Sequence, residues 1–309
     1  MGRSRNLRNR AAVAAAVGFL VVTVLSAGAA ASPSELAQSG TLTLTSDPGD
    51  FVGRGLTYSY ATPENVFFAL TRNWSGENNM VNVTMRTDPS STDYWMLDFA
   101  APPGQTLTPG SYAGVARAGA SQGSGQPGLD VSGLGSGCNM LGGNFTVLEA
   151  AYGPYGYVER FHATFEQHCE FNAPALRGEV LVSNPPPPPA LTASISLNPS
   201  AQLTRRGSVI LSGSVTCNRS IDPDWSFLQL VVSEPSKKGA ITGAAAIALP
   251  RDCSTSPIAW QTTVTPTDPA SPFTKGNAVT SAYARLRDPF FDVDVQTDPT
   301  AGTVALKET

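Results

Sequence analysis

The residues best suited to chemistry lie together in one short stretch, RFHATFEQHCEF, at positions 160–171. This stretch holds both histidines of the chain, one of its four cysteines and two glutamates. Imidazole, carboxylate and thiolate groups are the usual ligands of zinc, and a histidine beside a carboxylate can also move protons in catalysis. The composition therefore raises the hypothesis of a metal site or an acid–base centre.

The alternation of a β-strand would divide this stretch between two faces, because successive side chains point to opposite sides. The first face is mostly apolar and carries Phe161, Ala163, Phe165, Gln167, Cys169 and Phe171. The second face is a polar stripe of His162, Thr164, Glu166, His168 and Glu170. Along the strand Glu166 lies about 6.6 Å from His168, whereas His162 lies about 20 Å from it. The metal hypothesis thus narrows to Glu166 and His168 with a third ligand from elsewhere; the alternatives are a solvated polar face or a buried, hydrogen-bonded pair.

The first residues of the chain predict export. Four arginines precede an uncharged apolar run at 11–25, and small residues suited to cleavage follow it. We therefore expect a signal peptide at residues 1–31, with an uncleaved membrane anchor as the alternative. Cleavage leaves 16 basic and 24 acidic residues, a net charge of −8, and no later apolar run of membrane-spanning length. Such an acidic, charge-poor chain argues against nucleic acid as a partner.

The four cysteines predict two disulfides, since an even number in an exported chain is typical of a disulfide framework. Three pairings are possible on paper. A run of prolines lies between the second and third cysteines and favours the pairs Cys138–Cys169 and Cys217–Cys253. A cysteine held in a disulfide is neither a metal ligand nor a nucleophile.

The proline run NPPPPPA at 184–190 predicts a boundary between two domains. Five consecutive prolines adopt polyproline II at about 3.1 Å per residue, so we expect them to hold the flanking modules about 15 Å apart. The predicted domains are residues 38–183 and 191–309, with 184–190 as the linker.

Both predicted domains have the pattern of β-strands. Segments such as TLTLTSD, VNVTMR and DYWMLDFA alternate in hydropathy, and SVILSGSVT, FLQLVVS and AVTSAYARL are rich in Val, Ile and Thr. We predict an all-β protein of two β-sandwich modules joined by a polyproline spacer. The larger N-terminal module is expected to be jelly-roll-like, and the C-terminal module immunoglobulin-like.

Three segments of the first module carry a resemblance: WMLDFAAPPGQTLTPGSY (95–112), SGCNMLGGNFTVLE (136–149) and FHATFEQHCEFNAPALRGEV (161–180). Together they resemble an uncharacterised β-rich domain of exported bacterial proteins. The second module is similar to immunoglobulin-like domains of unknown function in exported actinobacterial proteins. The resemblance implies an architecture and a compartment, and it implies no activity.

Two further motifs are candidate sites. GASQG at 119–123 matches the G-x-S-x-G nucleophile elbow, but a Gly/Ser/Gln loop follows where the elbow needs a helix. Acidic segments raise a calcium hypothesis, although neither has EF-hand spacing. Their carboxylates are Asp47 and Asp50 in the first module, and Asp288, Asp292, Asp294 and Asp298 in the second.

Aromatic residues in turn-rich segments are candidates for ligand contact, namely Trp74, Tyr152, Tyr155 and Tyr157. Exposed aromatic rings stack on sugars and anchor protein contacts. The alternative is that these rings cover the rim of the core.

The sequence as a whole predicts an exported, non-enzymatic binding or adhesion protein of the cell envelope or extracellular space. The candidate partners are a glycan or an envelope or host protein, and no cofactor is expected. One alternative is a structural envelope component without a specific ligand. The other is a metal-dependent hydrolase centred on Glu166 and His168.

Overall fold

The computed structural model describes residues 37–72, 79–237 and 239–308, and these form a protein of β-strands. Within those ranges the helical structure is a single 3-10 turn, Pro154–Gly156. The all-β prediction is confirmed. The predicted signal peptide and Trp74 lie outside the described residues. No helix in the described ranges has the length and apolar character needed to cross a membrane.

In the described ranges, eleven strands precede the proline run and nine follow it. The first group is β1 (Ser39–Ser46), β2 (Thr57–Ala61), β3 (Val66–Arg72), β4 (Met80–Arg86), β5 (Tyr94–Ala100), β6 (Gly110–Ala113), β7 (Ala116–Arg117), β8 (Gly128–Gly133), β9 (Leu141–Tyr152), β10 (Val158–Cys169) and β11 (Leu176–Ser183). The second group is β12 (Ala193–Leu197), β13 (Ser200–Leu203), β14 (Val209–Cys217), β15 (Asp222–Ser236), β16 (Gly239–Ala248), β17 (Ile258–Pro266), β18 (Gly276–Asp288), β19 (Val293–Gln296) and β20 (Thr300–Glu308).

The strands before the proline run form two sheets that face each other. One has the order β2-β1-β11-β10-β9-β6, and the other has the order β3-β4-β5-β8-β7. Alternating residues of both sheets meet in one core, where the ring of Phe99 on β5 packs on those of Phe145, Phe161 and Phe165 from β9 and β10. Centroid separations of 5.3–6.1 Å place these rings in direct contact. The arrangement is a β-sandwich.

The strands after the proline run form one sheet that curls on itself. Its order is β12-β14-β13-β20-β18-β15-β16-β17, with β19 added at β18, and a further ladder joins β17 to β14. A separate apolar core fills its interior, with Leu228, Val264 and Ala282 fully buried. Jelly-roll-like and immunoglobulin-like stay predictions for the two halves, as do the exact domain boundaries.

Strand β10 shows the predicted alternation. Phe161, Ala163, Phe165, Gln167 and Cys169 are buried, and the residues between them are half-buried. Phe171 does not belong to the buried face. The strand ends at Cys169, and the next two residues adopt left-handed backbone angles, with φ of 52° and 60°. This turn redirects the chain, so the Phe171 side chain is 67% exposed.

Both predicted disulfides are present. Cys138 joins Cys169, and Cys217 joins Cys253. The first links the segment before β9 to the end of β10. The second links the end of β14 to the segment between β16 and β17. All four cysteines are therefore unavailable as ligands or nucleophiles.

The proline run is bound to the protein at both ends. The buried side chain of Asn184 donates to the carbonyl oxygens of Ala69 and Val158. At the other end the Asn218 amide donates to the carbonyl of Ala190 at 2.8 Å. The linker is thereby fixed to the strands on either side.

The two halves contact each other across this linker, which corrects the expected separation of about 15 Å. The rings of Tyr155 and Tyr157 pack on those of Phe290 and Phe291, with centroids 5.1–6.1 Å apart. The rise per residue sets only the length of the linker. The contacts between the halves are made by side chains that lie beside the linker.

Candidate functional site

Glu166 and His168 lie on the polar face of β10, close to its end. His168 Nε2 is 3.0 Å from Glu166 Oε1, and Arg177, the direct partner of Glu166 on β11, donates from Nε to Glu166 Oε2 at 2.7 Å. Arg177 also donates from Nη1 to Asp47 Oδ1 at 3.0 Å. We call these four residues the ion-pair row.

The ion-pair row holds the loop after β10 in place. His168 Nδ1 lies 3.0 Å from the carbonyl oxygen of Asn172, and the amide of Ala175 donates to Asp47 Oδ2 at 3.0 Å. The row thus ties the loop between β10 and β11 both to β10 and to the turn after β1.

The neighbouring groups of the ion-pair row stabilise one another's charged forms. The hydrogen bond with Glu166 raises the pKa of His168 above its ordinary value, while the bonds from His168 and Arg177 lower the pKa of the Glu166 carboxyl. The backbone amide of Ala175 and the Arg177 guanidinium likewise lower the pKa of Asp47. Both imidazole nitrogens of His168 face oxygen acceptors, an arrangement that suits the doubly protonated ring.

This geometry offers little to a metal ion. A metal needs a neutral imidazole and free carboxylate oxygens, whereas both oxygens of Glu166 accept hydrogen bonds and a guanidinium adjoins them. His162 is engaged elsewhere on the stripe, 2.6 Å from Glu179. Over the described ranges, no three His, Cys, Asp or Glu side chains are grouped to hold a metal ion. The metal prediction for Glu166 and His168 therefore gains no third ligand.

Three of the remaining candidate calcium carboxylates are likewise engaged by arginines. Asp288 pairs with Arg219, and Arg287 pairs with Asp292 and Asp294.

Three loops converge beside the ion-pair row, and we call this region the loop end. They are the segments 47–56, 134–140 and 170–175, which follow β1, β8 and β10. The Cys138–Cys169 disulfide joins the second loop to the third. Arg54 donates from Nη2 to the Leu134 carbonyl and to Ser136 Oγ, each at 3.0 Å, and so joins the first loop to the second.

A further link comes from Glu170, whose Oε1 accepts from the backbone amides of Asn139 and Met140 at 2.9 and 3.3 Å. The loop end is therefore cross-linked covalently, by an arginine and by a carboxylate. Loops fixed in this way can present side chains in a constant arrangement.

Four large apolar residues of the loop end are exposed to solvent. Phe51 is 63% exposed, Met140 57% and Phe171 67%, one from each loop, and Leu56 at the end of the first loop is 55% exposed. A cleft of about 310 Å³ lies among the loops. It is lined by Gly49, Asp50, Phe51, Gly137, Asn139, Cys169, Glu170, Asn172 and Pro174.

Asp50 is the unusual member of the cleft wall because its side chain is only 5% exposed. Its Oδ2 accepts from Ser46 Oγ and from the Gly53 amide, both at 2.7 Å. Its Oδ1 is buried, and no group among the described residues forms a hydrogen bond with it. A buried carboxylate oxygen left unpaired is costly.

A second pair of carboxylates lies on the outer face of the five-stranded sheet. Asp98 and Asp130 are direct partners on β5 and β8; Asn82 donates to Asp98 at 2.5 Å, and Arg117 pairs with Asp130 at 2.8 Å. Burial raises the pKa of Asp98, and the charge of Asp130 raises it further. By itself the pair specifies no reaction.

The three candidate tyrosines make contacts within the protein. The Tyr152 hydroxyl donates to the Leu107 carbonyl at 2.9 Å, and burial raises the pKa of Tyr152. Tyr157 donates to the Pro185 carbonyl at 2.9 Å, and both Tyr155 and Tyr157 pack on the phenylalanines of the second half. Their role as ligand contacts stays a prediction.

Sequence reasoning did not single out Phe51, Met140 or Phe171 as surface residues, nor the pairing of Asp98 with Asp130. For Phe51 the sequence offered one signal, because this phenylalanine stands among turn-forming residues in SDPGDFVGRG. The carboxylate pair requires strand register, which the sequence does not provide. Comparison of the chain with protein-family models and with curated proteins finds no match.

Proposed function

We propose that this chain is an exported, non-enzymatic binding or adhesion protein of the cell envelope or extracellular space. The observation that carries the proposal is the loop end, where three cross-linked loops hold two phenylalanines and a methionine in solvent. Large apolar side chains exposed together mark interaction surfaces. β-Sandwich proteins commonly bind through loops at one end of the sheets.

Several features support an exported two-module protein. Two disulfides suit an oxidising compartment, in line with the predicted signal peptide. The ladders β14–β17 and β20–β18–β15 support an immunoglobulin-like second module, because in that fold strands B and E pair in one sheet and strands G, F and C pair in the other. The second disulfide departs from the antibody pattern, because Cys253 lies before β17 and not on β18.

The partner we propose is a glycan or protein of an envelope or host surface. A net charge of −4 for the full chain, which becomes more negative after signal cleavage, disfavours nucleic acid. The nearly complete engagement of Glu166 and His168 by neighbouring charges also makes a hydrolase at that position the weaker alternative.

The test is binding of residues 32–309 to a glycan array and to defined envelope polymers and surface proteins. We expect saturable binding, and we expect the Phe51→Ser/Phe171→Ser variant to weaken it at least about tenfold, because the loss of anchor side chains removes most of the binding free energy. Trp225→Ser is the matched control, since Trp225 is 70% exposed on the second half. Binding that survives the double variant, or no binding to any probe, contradicts the proposal.

A structural envelope component is the second candidate, and the junction between the halves favours it. Arg219 pairs with the buried Asp288, lies over the ring of Phe291 and donates to the Pro189 carbonyl at 3.0 Å. A junction fixed by so many contacts suits a structural protein whose two halves must stay at a fixed distance from each other. Absence of binding by an intact, monomeric chain is the result that would favour this function.

A further inference from the structure

The second half of the protein carries a wide surface without charge. Four of its strands lie side by side in the order β16-β15-β18-β20. Their outward side chains come from residues 242–248, 227–233, 279–283 and 301–303, and we call this surface the valine face. These four ranges contain no Asp, Glu, Lys, Arg or His.

Two valines project near the centre of the valine face. Val231 on β15 is 43% exposed and Val279 on β18 is 51% exposed, although each of these strands is paired on both sides. Val231 lies directly between Ala244 and Ser281, and Val279 lies beside Thr303. Because Val279 is two residues from Ser281, the two valines are diagonal neighbours and form one apolar patch among small residues. Contiguous exposed apolar side chains mark interaction surfaces.

The polar groups of the valine face can be covered at little cost. The hydroxyl of Tyr283 donates to Gln229 Oε1 across the ladder of β15 and β18, so this pair is already formed before any partner binds. The other polar side chains are Ser and Thr hydroxyls, which both donate and accept hydrogen bonds. Burial of such neutral groups costs far less than burial of a charge.

Charge begins at the border of the valine face. Arg285 is exposed and lies directly beside Phe227, at one end of the face. The core of a protein interface is depleted of charged residues, whereas its rim is polar. The valine face and its border have this distribution.

A second copy of the chain is the partner that this surface fits. Without residues 1–31 the chain has 16 basic and 24 acidic residues, so two copies repel each other wherever their charged surfaces meet. The valine face is where they can approach with little repulsion, and it offers no charge that would select an oppositely charged partner. Exposed alanines on β16, beside the strand of Val231, leave room for the valines of a facing sheet; they are Ala244, Ala246 and Ala248.

The area of the valine face is sufficient for a dimer. Four strands about 4.8 Å apart and about seven residues long, at about 3.4 Å per residue, cover roughly 450 Å² in projection. Two facing copies cover roughly 900 Å², and the relief of the side chains brings the buried surface to about the 1,000 Å² that a specific interface needs. Sheets pack face to face about 10 Å apart with their side chains interdigitated.

We propose that two copies of the chain associate through the valine face, with Val231 and Val279 of each copy buried against the other. A two-fold dimer of this kind uses the same patch on both copies. The inference is independent of the loop end and of its ligand.

The experiment is analytical ultracentrifugation of residues 32–309 at concentrations from about 1 to 300 μM. We expect a monomer–dimer equilibrium with a Kd on the order of 10 μM, because the area is at the lower limit of specific interfaces. Val231→Glu should weaken dimerisation at least about tenfold, since it places like charges on both facing surfaces.

A matched control has the same added charge on a neighbouring strand. Thr263 is exposed on β17, outside the valine face, and Thr263→Glu should leave the dimer Kd within about twofold. Val231→Thr/Val279→Thr keeps β-branched side chains at both positions and should weaken dimerisation about threefold or more, because it removes apolar surface. If Val231→Glu does not fold, as judged by circular dichroism, this double variant still decides the matter.

A chain that stays monomeric at concentrations on the order of 300 μM would overturn the inference. So would dimerisation that Val231→Glu leaves unchanged, or that Thr263→Glu weakens equally. Dimerisation that is lost in Phe51→Ser/Phe171→Ser and retained in Val231→Glu would assign the interface to the loop end and would also refute it.

Discussion

Gln167 shows how one side chain can complete a β-sandwich. It lies on the buried face of β10, where its Oε1 accepts from the Val131 amide and its Nε2 donates to the Val131 carbonyl, both at 2.8 Å. Strand β7 pairs with β8 only at Ala116 and Arg117, so the edge of β8 at Val131 lacks a strand partner. The glutamine amide takes the place of that strand.

We predict that Gln167→Met lowers the free energy of unfolding by about 2–4 kcal/mol. The substitution keeps the length of the side chain but leaves the amide and carbonyl of Val131 buried and unpaired, at about 1–3 kcal/mol for each group. Urea denaturation of the variant and the unmodified chain measures the difference. Thr164→Ala on the polar face of the same strand should change it by less than about 1 kcal/mol; similar losses in both variants would contradict this role.

His168 should make stability depend on pH. Its pKa is raised in the folded protein, so its contribution is complete below the unfolded pKa near 6.5 and is lost as the pH rises through the folded pKa. The pKa of Glu166 is lowered, so its contribution is present above an unfolded pKa near 4.5 and is lost as the pH falls through the folded value. Both contributions to stability are therefore complete between about pH 4.5 and 6.5.

We predict that an NMR titration finds the His168 pKa above 6.5 and that Glu166→Gln moves it down, because the hydrogen bond to an anion is the main cause of the rise. The variant should also lose less stability than the unmodified chain between neutral and alkaline pH. An unchanged His168 pKa in Glu166→Gln would show that the ion-pair row does not operate in solution.

At the scale of elements, β10 and its following loop connect the core to the surface. The strand supplies the buried rings, the ion-pair row and Cys169, and the chain then turns through Glu170 and Phe171 with left-handed backbone angles. The disulfide to Cys138 joins this turn to the loop before β9. One of the three loops of the loop end thus continues directly from β10, one of the two central strands of its sheet.

We predict that Cys138→Ala/Cys169→Ala destabilises the protein by about 3–4 kcal/mol, since the bridge closes a loop of 31 residues. Amide hydrogen exchange should accelerate in residues 134–140 and 170–175, as measured by mass spectrometry. Cys217→Ala/Cys253→Ala is the matched control, and it should leave exchange in those two segments unchanged. Exchange that accelerates equally in both variants would argue against a local role of the first bridge.

At the scale of the whole molecule, Arg219 lies on the second half's side of the junction between the halves. This residue pairs with the buried Asp288, which also accepts from the backbone amides of Phe290 and Phe291. One arginine therefore supports the turn that carries both rings and contacts the linker at Pro189.

We predict that Arg219→Ala costs about 3–5 kcal/mol of stability, because it leaves the Asp288 charge buried and unpaired. Small-angle X-ray scattering should show a larger radius of gyration as the halves separate. Arg287→Ala, which removes pairs with the exposed carboxylates of Asp292 and Asp294, should cost no more than about 1 kcal/mol and leave the scattering unchanged. An unchanged radius in Arg219→Ala would mean that other contacts fix the junction.

The sequence by itself determined the local properties of this protein. Alternation placed Phe161, Ala163 and Phe165 inside and Glu166 and His168 outside, because the period of two belongs to every β-strand. An even number of cysteines divided by a proline run led to the correct disulfides, since only one of the three possible pairings keeps each bridge within one half.

Only the tertiary structure decided what these local features lie against. Strand register brought Arg177 beside Glu166 and Asp98 beside Asp130, and register depends on pairings between residues far apart in the chain. Loop convergence made a cleft of Asp50 and Glu170, and side-chain packing brought Tyr155 onto Phe291 across a linker expected to separate them. Such contacts come from long-range packing, which no local pattern encodes.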